Sequence, residues 1–145
     1  MYSEQKKETL QQLLKVLDKI KHKKVIVEGL RDKVVLRSLG FTDVLTIERG
    51  LWETVEDLGC VPVILTDFDD EGRRIAAKLD LFLRSRADHQ TRKKVGLLFA
   101  EIKIKTVEEL KNMIKGVDVN VETGAISVKI HNIRALRGGR NRREA

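Results

Sequence analysis

The chain has 145 residues and a mass of 16.6 kDa, room for one domain and a small appendage. Hydrophobic residues make up 41% and charged residues 35%, with 29 basic against 22 acidic side chains for a net charge of +7, so a real core sits under a surface charged nearly everywhere. No run approaches the roughly 18 apolar residues of a membrane span, the N-terminal residues lack the apolar stretch of a signal peptide, and the single cysteine, Cys60, rules out an internal disulfide or a zinc ribbon.

A cytoplasmic domain with no membrane association is therefore expected. In chain order, Leu10, Leu13, Leu14, Leu17 and Ile20 recur at three- and four-residue steps, which predicts a helix from Ser3, its N-cap, to Lys21. Lys24 to Gly29 holds the β-branched run Val25-Ile26-Val27 and reads as a buried strand ended by glycine. A short helix over Arg31 to Leu39 stops at Gly40, a second strand covers Asp43 to Ile47, and a short helix covers Glu53 to Leu58. Val61 to Asp67 is the third strand, with Pro62 near its start, where proline is tolerated. Ile75, Ala76, Leu79, Phe82 and Leu83 then mark a helix from Gly72 to about Arg86.

This alternation of strand and helix implies an α/β fold with a parallel sheet flanked by helices. Lys93 to Ala100 fits helix or strand equally, and Glu101 to Lys105 alternates like a strand. Thr106-Val107-Glu108-Glu109 is a capping-box pattern that opens a helix ending near Gly116. Alternating residues on both sides of Glu122-Thr123-Gly124-Ala125 signal a C-terminal β-hairpin. The expected organisation is an N-terminal helix over 1–23, a core domain over 24–116, a hairpin over 117–131 and a basic tail over 132–145.

From Lys129 onward there are six basic residues and one acid, so +5 of the net +7 sits in the last segment. With Gly138-Gly139 inside it, the segment reads as an arm able to neutralise phosphates through Arg134, Arg137 and Arg140, or as a solvated terminus. The six aromatic residues mostly read as core, so no stacking platform for single strands is evident. Cys60 reads as a small core residue. Trp52 borders the end of the second strand, where core packing competes with base stacking.

In an open parallel sheet, ligands bind beyond the carboxyl ends of the strands. Glu28 closes the first strand and Asp67 the third, followed by Asp69, Asp70 and Glu71 before Gly72. Asp67 and Asp69 share a side of an extended stretch. Packed carboxylates repel and raise one another's pKa, a conflict that a divalent cation with oxygen ligands removes. The competing reading is capping: acids are favourable at a helix N-terminus, and Asp69 or Asp70 can serve as its N-cap.

The pair Val25-Ile26-Val27-Glu28-Gly29 and Leu65-Thr66-Asp67-Phe68-Asp69-Asp70-Glu71-Gly72 resembles the two hallmarks of the Toprim domain, the catalytic domain of topoisomerases, bacterial-type primases and several nucleases. The likeness covers about Lys24 to Arg86. The second motif is similar to type IA topoisomerases, and the segment from Val27 to Lys33 to primases and the ribonuclease that matures 5S ribosomal RNA. As a whole the chain most resembles the small stand-alone Toprim proteins of archaea. A topoisomerase needs a nucleophilic tyrosine on another domain, and the only tyrosine here is Tyr2. Topoisomerase activity by this chain alone is not expected, and a primase would need a zinc-binding module.

The resemblance implies Mg²⁺, with Mn²⁺ as a substitute, held by Asp67 and Asp69, with Glu71 a further ligand. Glu28 is then a metal ligand or the general acid–base. Gly29 and Gly72 would let a phosphate backbone approach, and Arg31, Lys33, Arg73 and Arg74 would hold it, or be ordinary surface charge. Asp32 and Asp70 fit equally well as caps and stand outside the catalytic set. Two functions follow: an Mg²⁺-dependent nuclease acting on structured RNA, or DNA, with RNA favoured; or a non-catalytic nucleic-acid or ribonucleoprotein binding module retaining a structural Mg²⁺ site and working with a protein partner.

Overall fold

The computed structural model describes residues 3–116, 118–120 and 127–129. Three strands, β1 (Val25–Val27), β2 (Val44–Thr46) and β3 (Val63–Ile64), form a parallel sheet in the order β2-β1-β3. Val25 pairs with Val44 on one side and with Val63 on the other. Helices α1 (Glu4–Ile20), α2 (Leu30–Ser38), α3 (Leu51–Val55), α4 (Asp70–Phe82), α5 (His89–Glu101) and α6 (Val107–Ile114) flank it. None of these helices is long and apolar enough to cross a membrane.

The two faces of the sheet sort the core. Val25, Val27, Val63 and Leu65 point into the larger cluster with the buried residues of α1, α2, α5 and α6. Ile26 and Ile64 point the other way, onto Val55 of α3 and Ala76 and Leu79 of α4. Strands buried on both faces need unbroken apolar runs, which explains Val25-Ile26-Val27 and Val63-Ile64-Leu65. Because β1 is central, its connection to β2 runs to one side while β3 lies on the other. The carboxyl ends of β1 and β3 therefore meet at a topological switch point.

Helix ends follow local chemistry. Ser3 caps α1 by accepting the Lys6 N–H at 3.1 Å. In the capping box of α6, Thr106 accepts the Glu109 N–H at 3.1 Å and Glu109 accepts the Thr106 N–H at 3.0 Å. Both α4 and α5 close with the paired bonds of a Schellman motif. Ser85 and Arg84 donate to Asp80 and Leu81 at the end of α4, and Ile104 and Lys103 to Phe99 and Ala100 at the end of α5. Arg84 (φ 55°) and Lys103 (φ 61°) take the left-handed position where glycine is usual, and each places a cation at the negative end of its helix.

Several expectations change. Lys93 to Ala100 is helical within α5, and Glu101 to Lys105 is not a strand. The alternating Ile102 and Ile104 are the two residues that the Schellman turn folds into the core, and one backbone bond, Phe68 N–H to Lys105 O at 2.7 Å, joins this segment to the continuation of β3. The third helix starts at Leu51 rather than Glu53, because Gly50 (φ 109°) turns the chain directly into it, and it ends at Val55. The fourth ends at Phe82 rather than Arg86, where Arg84 and Ser85 reverse the chain. Cys60 is exposed, not core, since it precedes the strand instead of entering it. Trp52 is half-exposed, with its ring edge-on to Phe82 at 5.7 Å between centroids.

At the C-terminus, residues Asp118–Asn120 and Ser127–Lys129 pair antiparallel, with Val119 opposite Val128. The other residues of 117–131, with the turn that the expected hairpin requires, and the basic tail, including Arg134, Arg137 and Arg140, lie outside the described residues.

Candidate metal centre

Glu28 follows β1 directly, and Asp67 and Asp69 follow β3 across the switch point. All three side chains are half-buried, and each offers a carboxylate oxygen within 4.8 Å of the other two. That spacing suits oxygens that share one cation, and an oxygen-only set suits a hard divalent ion.

One backbone N–H orients each carboxylate. Glu28 Oε2 accepts the Asp67 N–H at 2.8 Å, linking the ends of β1 and β3. Asp67 Oδ1 accepts the Val107 N–H at 3.1 Å, at the first residue of α6. The capping box satisfies the N–H groups of Thr106 and Glu109 and leaves that of Val107 free to do this. Asp69 Oδ1 accepts the Gly72 N–H at 2.8 Å and so caps α4. A carboxylate has about four lone-pair sites on its two oxygens. A single N–H fixes its direction and leaves capacity for a cation.

The electrostatics show the cost of this arrangement. Burial pushes Asp67 up to about 7, with Glu28, Asp32 and Asp69 adding repulsion against the lowering effect of the Val107 N–H. Glu28 is also raised, first by burial and then by Asp69, Asp32 and Glu71, while the Asp67 N–H pulls the other way. A cation among the three would relieve both.

Glu71 is not one of the three: its Oε1 pairs with Arg74 on the exposed first turn of α4, though its charge still reaches Glu28. Arg74 is thereby occupied as well. Arg73 lies 3.9 Å from Asp70, and Arg31, largely exposed, lies 3.9 Å from Glu108 of α6. Lys33 is half-buried on α2. Asp32 accepts the Gly29 N–H at 3.3 Å, the capping role expected of it, and still adds its charge to the cluster. Asp70 is exposed on the first turn of α4 while Asp69 takes the cap.

The two glycines differ. A Cβ at Gly29 would meet nothing within 4 Å, so space is open there. A Cβ at Gly72 would stand 2.0 Å from the Asp67 carbonyl oxygen. Gly72 is buried, and the structure gives it an internal reason to lack a side chain: the first turn of α4 packs onto the backbone of Asp67. Thr66, fully buried, fastens that turn by donating from Oγ1 to the Gly72 carbonyl at 2.8 Å.

Two supports have no signature in the sequence. One is the Val107 N–H; the capping box gave its position in the helix but not its partner. The other is Arg92 of α5. Its Nη1 donates to the carbonyls of Ile64 and Thr66, both at 2.9 Å, and its Nη2 to that of Asp67 at 3.3 Å. The guanidinium also lies over the Phe68 ring, 4.5 Å from the centroid. Burial, aided by nearby Arg73, lowers its pKa to about 10, and the charges of Glu28 and Asp67 oppose that shift. Arg92 is a positioning residue that fixes the backbone from which Asp67 and Asp69 project.

Comparison with known proteins gives relatives of one kind. A UPF0292 protein of Thermococcus gammatolerans is 34% identical, over 71% of this chain and 84% of its own length. The chain belongs to the UPF0292 family. A second member, from Thermococcus sibiricus, is 35% identical over 71% of this chain and 88% of its own. A UPF0292 protein of Pyrococcus furiosus is 32% identical over 73% and 86%. No family profile and no solved structure matches the chain.

Proposed function

We propose that this UPF0292 chain is a Toprim-type protein that hydrolyses phosphodiester bonds in nucleic acid with Mg²⁺, structured RNA being the favoured substrate. In this reading residues 24–116 form the Toprim domain, with the N-terminal helix packed on it and the C-terminal hairpin and basic tail as extensions. The observation that carries it is the convergence of Glu28, Asp67 and Asp69 at the switch point of a parallel sheet.

When bound there, Mg²⁺ or Mn²⁺ would neutralise a non-bridging phosphate oxygen and lower the pKa of a coordinated water. Asp67 and Asp69 would hold the ion, their directions set by the Val107 and Gly72 N–H groups. Glu28 would take the water's proton as its oxygen bonds to phosphorus, and return it to the departing ester oxygen. The products are a phosphomonoester and a free hydroxyl. Open space at Gly29 suits the approach of a phosphate.

A second reading, a nucleic-acid or ribonucleoprotein binding module with a structural cation, draws on one observation. Glu71 is paired with Arg74 rather than added to the cluster, which leaves three acids and not four.

Cleavage of end-labelled structured RNA, single-stranded DNA and duplex DNA with Mg²⁺, Mn²⁺ or EDTA separates the two. Metal-dependent cutting that disappears in Glu28→Gln and in Asp67→Asn with Asp69→Asn supports hydrolysis. Binding without cutting, unchanged by these substitutions, supports the module and overturns the enzyme.

A further inference from the structure

Beside the acidic cluster, α5 and the turn that follows it border a groove of about 740 Å³. Arg73, Arg92, Lys93, Lys103 and Lys105 line it, and among the described residues no aspartate or glutamate does. The lining also contains Phe68 and Leu97, the latter 60% exposed, so apolar surface is available next to the cations. The groove adjoins the backbone that carries the acidic cluster. Phe68 lies between Asp67 and Asp69, Arg73 sits on the turn that Asp69 caps, and Arg92 holds the Asp67 carbonyl.

The five cations are not equivalent. Arg92 is committed to three carbonyls, and Glu109, whose pKa is lowered first by the Lys105 backbone N–H at 2.8 Å, also feels the Lys105 charge. Among the described residues Lys93 and Lys103 make no ion pair, and Arg73 faces only the exposed Asp70 at 3.9 Å. Three largely uncommitted cations therefore stand at the edge of a cluster of carboxylates that by itself would repel a polyanion.

We infer that this groove binds a nucleotide segment of the polynucleotide strand flanking the bond held at the acidic cluster. Phosphates lie on Arg73, Lys93 and Lys103, and a base or sugar lies against the exposed Leu97. Charge complementarity selects a phosphate-bearing ligand, and the apolar wall selects a nucleotide over a bare phosphate ion. Proximity to the cluster, through Arg92 on the Asp67 carbonyl, favours a strand over a free nucleotide. The assignment rests on the reading of the cluster as a phosphodiester site.

The test is fluorescence anisotropy of a labelled single-stranded oligouridylate of about twelve nucleotides, within the site sizes such grooves take. The full chain is used, in EDTA, across a range of KCl concentrations. Lys103 has φ 61°, a conformation glycine prefers, so Lys103→Gly removes the cation without backbone strain. Lys93→Glu with Lys103→Gly should weaken binding by about tenfold or more and flatten the slope of log K against log salt by about 1.4, or 0.7 for each lost contact. Lys19→Glu with Lys78→Glu, exposed positions outside the groove, should leave both unchanged.

No binding by the wild-type chain, or equal effects of the two double variants, would overturn the groove. Displacement of the oligomer by uridine monophosphate at equal nucleotide concentration would reassign it to a free nucleotide. Failure of the hydrolytic reading looks different: groove-dependent binding persists while Mg²⁺ yields no cleavage. Cleavage that keeps its KM in Lys93→Glu with Lys103→Gly would sink the groove alone.

Discussion

Glu28 accepts the backbone N–H of Asp67 at 2.8 Å, so a side chain at the end of β1 is fastened to the main chain just beyond β3. One contact thus sets the position of two of the three clustered carboxylates. The same interaction pulls the Glu28 pKa down against a burial effect that raises it. The cluster is built into the sheet rather than draped over it, and its supports can be tested separately from its chemistry.

Asp69 has two jobs that substitution separates. Asn can still accept the Gly72 N–H, so Asp69→Asn should keep near-native stability, while Asp69→Ala should cost about 1 kcal/mol through loss of the cap. Both should lose divalent-cation affinity. Denaturant unfolding beside Mn²⁺ titration checks the pair; equal stability of the two variants would show that the cap contributes nothing.

Gly72→Ala forces a Cβ to within 2.0 Å of a backbone oxygen, where no flexible side chain can give way. Its destabilisation should be on the order of 3 kcal/mol or more, with the bond from Thr66 to the Gly72 carbonyl distorted as well. Gly29→Ala meets open space and should be nearly neutral for folding. Thermal melts of the two variants decide.

Removing Arg92 strands three carbonyls that it now satisfies. Arg92→Met should destabilise by about 3 kcal/mol, and Arg92→Lys should recover only part of this because an ammonium cannot reproduce the guanidinium fork. A positioning role also predicts weaker cation binding in Arg92→Lys at a temperature where it remains folded. Unchanged cation affinity would reduce Arg92 to a structural residue.

The pH dependence has a definite sign. Asp67 has a folded pKa of about 7 against an ordinary 3.8, so between these values the folded state holds the extra proton. Cation-free stability contributed by this group is therefore greatest below 3.8, falls as pH rises and levels off above about 7. Asp67→Asn mimics the protonated form and still accepts the Val107 N–H. Its stability advantage over wild type should be small at low pH, grow through neutrality and shrink when Mg²⁺ is added. Chemical denaturation at a series of pH values measures this, and an advantage independent of pH would contradict it.

Most of the sheet was legible, because strands buried on both faces must be apolar throughout and Val25-Ile26-Val27 and Val63-Ile64-Leu65 are. The acids at the ends of β1 and β3 were legible for the same reason: a charge closing such a run marks the sheet edge. The capping alternative for Asp69 was also visible, and the structure has it capping α4 and joining the cluster at once. Glu71 was harder to place, since proximity in sequence says nothing about its turn toward Arg74. Arg92 was not legible at all. It sits in Thr91-Arg92-Lys93-Lys94, where every cation looks like surface, and only the packing of α5 against β3 buries one of them. The alternation of Ile102 and Ile104 misled because a Schellman turn also buries every second residue.

The most direct test of the account is Mn²⁺ titration, by calorimetry or electron paramagnetic resonance, of wild type, Glu28→Gln, Asp67→Asn, Asp69→Asn and Glu71→Gln. One saturable site is expected, which Asp67→Asn and Asp69→Asn each weaken by about tenfold or more, with Glu28→Gln weakening it less, through loss of a nearby charge, and Glu71→Gln close to wild type. Absence of a saturable site, or a site that survives loss of Glu28, Asp67 and Asp69 but not of Glu71, would contradict it.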